Sequence, residues 1–193
     1  MKMKVGLYFG SFNPVHIGHL AIANYITEYS DLSELWFVLS PQNPLKKKNT
    51  LLDEFERFKM VELALADDEK IKPSDIEFRL PKPSFTIDTL TYLKERYPNY
   101  EFAIILGADN FNSFHKWKNY EEILKKYQLY VYPRPGYNIG DFTNHPNIKE
   151  INAPIMEISS SFIRKSIKEE KDVRYFLPKA VYNYINDKFL YRN

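Results

Sequence analysis

The segment Gly10-Ser11-Phe12-Asn13-Pro14-Val15-His16-Ile17-Gly18-His19-Leu20 joins an apolar run, Val5-Gly6-Leu7-Tyr8-Phe9, to a helical pattern over Ile17–Tyr29. The run reads as a buried parallel strand, and Leu20, Ile22, Ala23 and Ile26 follow at helical spacing. A strand, a glycine-led turn and a helix start are the parts from which α/β proteins build phosphate sites. Gly10 removes a Cβ where the backbone bends or meets a ligand, Ser11 and Phe12 complete the turn, and Pro14 fixes a φ angle. The first helical N–H groups have no partners inside the helix and can face an anion. His16 and His19, three apart, project from one side of that helix start, and Gly18 between them puts no side chain in the way of a phosphate. Imidazole N–H groups placed there can stabilise charge that grows on a phosphate during in-line displacement, and neither needs to be a nucleophile.

Outward from this segment, strands and helices alternate. Residues 34–39 form a second strand, followed by a polar loop over 40–50. Residues 53–66 form an amphipathic helix with Phe55, Phe58, Met60, Val61, Leu63 and Leu65 available for burial. Residues 71–79 supply a short strand, 86–96 a helix, and 101–106 a central strand ending at Gly107. Residues 120–126 are helical, and 129–132 form a strand stopped by Pro133-Arg134-Pro135-Gly136. Residues 155–158 precede a helix from about Ser160, and 179–190 form the last helix. The expected fold is α/β, a Rossmann-like doubly wound parallel sheet with helices on both faces and a helical C-terminal segment. No repeat, low-complexity linker or boundary divides it, so residues 1–193 are expected to form one domain. Ligands on such sheets sit at the carboxyl ends of the strands.

Composition narrows the partners. With 27 basic and 25 acidic residues the formal net charge is +2, too balanced to argue for nucleic acid or an anionic membrane surface. The 44% hydrophobic and 16% aromatic shares suit an ordered globular core. Cysteine is absent, which excludes disulfides and suits a reducing compartment. No charged leader precedes the first strand and no apolar run approaches about 18 residues, so a cytoplasmic protein without membrane partners is expected. Whether it forms a homo-oligomer is left open. His16 and His19 could instead ligate zinc, but such a site needs three or four ligands, and only His115 and His145 remain. No protein metal ligand is assigned, and His115 is given no role.

A second polar cluster is Ile158-Ser159-Ser160-Ser161-Phe162-Ile163-Arg164. Three hydroxyl residues at a helix start are good N-caps and leave a polar helix end able to hold phosphate oxygens. Arg164, about one turn inside, can reach the same anion as a bidentate donor. A serine run before arginine is otherwise simply a capped helix.

Together these segments resemble the nucleotidyltransferase superfamily. Ser11, His16, Gly18 and His19 follow its (T/S)-x-x-H-x-G-H pattern, and residues 158–164 follow I-S-S-(T/S)-x-(I/V)-R. The resemblance implies transfer of a nucleoside monophosphate from a triphosphate with release of pyrophosphate. It makes His16 and His19 catalytic, and assigns Gly10, Ser11, Phe12, Gly18, Ser159, Ser160, Ser161 and Arg164 to the phosphates of ATP.

Further blocks resemble the nicotinate-nucleotide adenylyltransferase family over nearly the full length. Ser84-Phe85-Thr86-Ile87-Asp88-Thr89-Leu90 is similar to S-(Y/F)-T-x-x-T-L, with Thr86 as an N-cap whose amide binds the carboxylate of a nicotinate ring. Ile105-Leu106-Gly107-Ala108-Asp109 resembles I-I-G-x-D, placing Gly107 and Asp109 along the bound nucleotides. Trp117 matches the tryptophan that stacks on the pyridine ring, and Arg134-Pro135-Gly136 and Tyr184-Ile185 to Leu190-Tyr191-Arg192 also follow the family. Taken alone, Thr86 reads as a helix cap, Asp109 as another cap and Trp117 as a core aromatic. The family's P-P-H-K after the second strand becomes Asn43-Pro44-Leu45-Lys46-Lys47-Lys48, where Lys47 is assigned to phosphate and solvated surface charge is the alternative.

The implied substrates are ATP, with Mg2+ bridging its phosphates, and nicotinate mononucleotide. Nicotinate adenine dinucleotide, a precursor of NAD, is the implied product. Nicotinamide mononucleotide is the nearest alternative acceptor. Pantetheine-phosphate adenylyltransferase shares the two phosphate motifs but lacks the Ser84–Leu90 and Trp117 blocks. A non-catalytic nucleotide-binding module would have no need of both histidines and Arg164.

Overall fold

β1 (Met3–Gly10) lies in the middle of one parallel sheet, between β2 (Glu34–Leu39) and β4 (Tyr100–Gly107). A computed structural model describes residues 2–42, 51–137 and 144–192. With β3 (Ile71–Ser74), β5 (Gln128–Tyr132) and β6 (Ile148–Glu150), the strand order is β3-β2-β1-β4-β5-β6, the doubly wound arrangement expected from the sequence. The chain runs outward from β1 to β3 and returns across β1 to continue through β4. The crevice above the carboxyl ends of β1 and β4 is therefore the switch point.

Both faces of the sheet are covered, which explains the near-continuous apolar runs of the central strands. In β4, Ala103 and Ile105 face one core while Phe102, Ile104 and Leu106 face the other. The first core is closed by α1 (Ile17–Tyr29), α2 (Glu54–Ala64), α6 (Ser160–Lys168) and α7 (Lys179–Asp187), through buried Ile26, Met60, Ile163 and Val181. The second is closed by α3 (Thr86–Arg96), the short α4 (Ala108–Phe111) and α5 (Tyr120–Lys126), through Leu90, Phe111 and Ile123. Among the described residues no helix is long and apolar enough to cross a membrane.

Several boundaries differ from the sequence expectation. β6 was not foreseen. It contributes one buried side chain, Ile148, beside exposed Lys149 and Glu150, too short a run for a period to show. The stretch 71–79 splits into edge strand β3 and a 3-10 turn over Ile76–Arg79. Pro73 lacks a ladder donor and is tolerated at a sheet edge. Asp53 caps α2 by accepting from the Phe55 amide at 2.9 Å, and Phe55 itself is exposed. The inner face of that helix holds Arg57 with Met60 and Val61 instead. The last helix ends at Asp187 rather than at 190.

Candidate active site

A cleft of about 860 Å³ opens at the carboxyl ends of β1 and β4. Its walls bring together the β1–α1 loop, the start of α3, the β4 exit, the segment around Trp117, and the start of α6. Gly10, Ser11, Phe12, His16, His19, Thr86, Asp109, Trp117, Arg134, Ser159, Ser160, Ser161 and Arg164 all line it. Lys46–Lys48 lie outside the described residues, so the assignment of Lys47 finds no structural counterpart here.

The two predicted phosphate segments are bonded directly to each other. Ser160 Oγ donates to the Pro14 carbonyl at 2.9 Å, and Arg164 Nη1 donates to the Asn13 carbonyl at 2.7 Å. Ser159 caps α6 by accepting from the Phe162 amide at 3.1 Å, and Arg164 Nη2 reaches Ser161 Oγ at 3.2 Å. The C-terminal segment adds a latch, since Tyr191 Oη donates to Asn13 Oδ1 at 2.8 Å. Two helix starts thus border one space, and their orphan amides can act on one anion.

His16 is the N-cap of α1 and is 2% exposed, while His19 sits in the first turn beside it. The rings stack with centroids 3.7 Å apart. His19 Nδ1 accepts from the His16 amide at 3.2 Å, so a neutral His19 carries its proton on Nε2. Burial, reinforced by the Arg134 guanidinium, lowers the His16 pKa to about 4, which leaves that imidazole neutral near pH 7. Desolvation is the larger of the two causes. Phe12 packs edge-on against His19 at 5.2 Å, and Tyr8 does so at 6.2 Å.

The far side of the cleft is built from other parts. Arg134 Nε and Asp109 Oδ1 lie 3.7 Å apart, within ion-pair range but too far for a hydrogen bond. Arg134 also packs over the Tyr132 ring at 5.3 Å, and Tyr132 Oη meets Tyr8 Oη at 3.1 Å. Burial pushes both phenols above the ordinary tyrosine range, so both keep their protons. Trp117 is half-buried, tilted against Phe114 at 5.4 Å with its remaining surface on the cleft. His115 is exposed. Among the described residues, the buried side-chain polar atoms without a hydrogen bond are His16 Nδ1, Asp109 Oδ1 and Arg134 Nε. All three belong to residues of this cleft. Native interiors rarely leave such groups unpaired, and a catalytic role, strain, or a water or ion is the explanation when they do.

Three site residues play parts other than those expected. Gly18 is buried and does not line the cleft. A Cβ there would stand 3.0 Å from His16 Nδ1, so the glycine makes room for the imidazole rather than for a phosphate. Gly107 is likewise outside the lining, and its missing Cβ admits the Asp109 carboxylate and, at 3.2 Å, the Arg134 side chain. Thr86 is the first residue of α3 and not its cap, because Phe85 holds the N-cap position without a side-chain bond. Ser84 turns instead to Glu77, donating to Oε2 at 2.6 Å, while Thr89 Oγ1 donates to Oε1 at 2.9 Å. Burial raises the Glu77 pKa against those two bonds. Glu77, Tyr8, Tyr132 and Asn13 line the cleft and were not anticipated. Arg57 was missed too, although a charge at helical spacing from Met60 and Val61 marked it as facing inward.

Residues 7–166 match the family model described as cytidylyltransferase-like. A relative from Flavobacterium psychrophilum, named as a nicotinate-nucleotide adenylyltransferase, is 55% identical over 192 residues, spanning 98% of this chain and 100% of its own. One of the same name from Bacteroides thetaiotaomicron is 46% identical over 186 residues, 96% of this chain and 92% of its own. The solved Plasmodium falciparum nicotinic acid mononucleotide adenylyltransferase complexed with NaAD superposes with a TM-score of 0.83 at 25% identity, covering 97% of each chain.

Proposed function

This chain belongs to the nicotinate-nucleotide adenylyltransferase family, of cytidylyltransferase-like fold, and from that premise we propose how its cleft performs the transfer. ATP lies with its triphosphate between the starts of α1 and α6. Nicotinate mononucleotide lies along α3, Asp109 and Trp117. A 5′-phosphate oxygen of the mononucleotide attacks the α-phosphorus in line. The new O–P bond forms as the bond to the β-phosphate oxygen breaks, and pyrophosphate leaves with that electron pair. The products are nicotinate adenine dinucleotide and pyrophosphate, a step in making NAD.

The acceptor phosphate is already an anion, so no base is required, and catalysis reduces to positioning and charge stabilisation. His19 donates through Nε2 to oxygens whose charge grows in the transition state. His16, neutral and buried, orients His19 through ring stacking and its amide, and offers its own ring to the same phosphates. Ser159, Ser160, Ser161 and Arg164 hold the outer phosphates. The Thr86 amide meets the nicotinate carboxylate, Trp117 stacks on the ring, and Asp109 and Arg134 complete their pairing on the nucleotide. Mg2+ would be held by the triphosphate's own oxygens and water, as it prefers, and would supply charge neutralisation there. Among the described residues no group of three or more His, Cys, Asp or Glu is placed to hold a metal.

The observation that carries this reading is the direct bonding of the two helix starts, Arg164 to Asn13 and Ser160 to Pro14, beside stacked imidazoles. The test is pyrophosphate release on mixing the protein with ATP, Mg2+ and nicotinate mononucleotide, with chromatographic detection of the dinucleotide. We expect kcat/KM for the nicotinate acceptor to exceed that for the nicotinamide acceptor by about tenfold or more, since one buried polar group left unsatisfied costs about 1–3 kcal/mol. ATP binding without pyrophosphate release would overturn the reading.

A further inference from the structure

We infer that Arg57, which does not line the cleft, is a positioning residue for the triphosphate loop: its guanidinium fixes the main-chain carbonyl on one side of Phe12, as Arg164 fixes the carbonyl on the other. The inference rests on the functional reading above and deepens it.

Arg57 is 1% exposed, in the first turn of α2. Its guanidinium hydrogen bonds all go to backbone carbonyls. Nη1 donates to Ser11 at 2.7 Å and to Ser40 at 3.0 Å, Nη2 to Pro41 at 2.9 Å, and Nε to Leu52 at 2.9 Å. A planar fork with donors in fixed directions suits this task, and lysine could reach fewer of these oxygens. Three separate segments are joined at one point: the β1–α1 loop, the β2 exit and the lead into α2. Burying a cation is costly, and no described carboxylate hydrogen-bonds this one. A packing role alone would be met more cheaply by leucine or methionine.

What the fork holds is the peptide before Phe12. In a trans peptide the carbonyl and the following N–H point in opposite directions. With the Ser11 carbonyl turned to Arg57, the Phe12 N–H is turned away from it. Phe12 itself has φ of 42°, a conformation that is costly for a bulky side chain and persists only where surroundings enforce it. The enforcing contacts are Arg57 on the Ser11 carbonyl and Arg164 on the Asn13 carbonyl, each at 2.7 Å. The Phe12 ring then packs on His19, so the loop conformation reaches the catalytic imidazole through a single contact.

The experiment compares Arg57→Lys, which keeps the charge, and Arg57→Gln, which removes it, with the unaltered protein. Cooperative melting by circular dichroism gives the folded fraction, and pyrophosphate release gives kinetics per folded site. We expect kcat/KM for ATP to fall about 30-fold or more in either variant that melts cooperatively, with KM for the mononucleotide changed less than threefold. A second measurement is a double-mutant cycle with Phe12→Gly, since glycine adopts positive φ without strain. The loss caused by Arg57→Lys is expected to shrink in that background. ATP kinetics within threefold of the unaltered protein, equal losses toward both substrates, strictly additive losses in the cycle, or loss of cooperative melting in both variants would each overturn the positioning role. If the unaltered protein itself released no pyrophosphate, the functional reading would fail instead.

Discussion

The two halves of the cleft are built on different principles. On the donor side most of the holding contacts run from side chains to backbone, Arg164 to Asn13, Arg57 to Ser11 and Ser160 to Pro14, with Tyr191 on Asn13 Oδ1 beside them. On the acceptor side, Arg134 Nη1 donates to the Met156 carbonyl at 3.3 Å, but Asp109 Oδ1 and Arg134 Nε are left without hydrogen bonds and Trp117 is only half covered. The donor half leaves one buried polar atom unmatched, His16 Nδ1; the acceptor half leaves two, Asp109 Oδ1 and Arg134 Nε. On the proposed function, the difference matches what each half would bind. A triphosphate offers identical oxygens to any well-aimed donor, so a rigid backbone cradle suffices. A pyridine base must be told from its neighbours, and unmatched polar groups discriminate strongly because a wrong partner leaves them buried and unpaired.

Substitutions on the two sides should therefore separate kinetically. The largest effect is expected for His19→Ala, with kcat lower by about 10²-fold or more, the scale of losing one transition-state donor. Steady-state assays with each substrate varied in turn check it, and a kcat near that of the unaltered protein would remove His19 from the chemistry. Next comes a stability effect confined to the donor half. His16 has a folded pKa of about 4, below the ordinary unfolded value, so the folded state binds fewer protons. Its contribution is full above about pH 6.5 and is lost as pH falls toward 4, reaching about 2 kcal/mol by pH 5. The raised Glu77 acts with the opposite sign. The measurement is accordingly the difference in urea midpoint between the unaltered protein and His16→Asn across that range; parallel curves would contradict it. The smallest effect belongs to the acceptor half. Trp117→Ala should raise KM for the mononucleotide about 5- to 30-fold, the scale of one base–aromatic stack, with KM for ATP unchanged. Equal changes in both constants would mean that the halves are not independent.

Much of the donor half was legible because its signals are local. A strand, a glycine-led turn and His16 and His19 at helical spacing occupy one short stretch, and Ser159 to Arg164 another. The sheet could be read from the buried runs in β1, β2, β4 and β5, whereas β6 offered a single buried residue. The acceptor half was legible only through resemblance. What stayed hidden were residues whose partners lie far along the chain. Spacing could turn Arg57 inward, but neither its partners nor those of Glu77 show until the fold sets them against carbonyls and hydroxyls. Gly18 misled for a related reason: adjacency to His16 was visible, but not that the His16 ring folds back over it.

The bonds from Arg164 and Tyr191 to Asn13 join residues made early in translation to residues made late. A nascent chain possesses its imidazoles long before it can brace them. While the last helices are still inside the ribosome, such a chain would display the histidine motif without the Arg164 and Tyr191 bonds that hold Asn13.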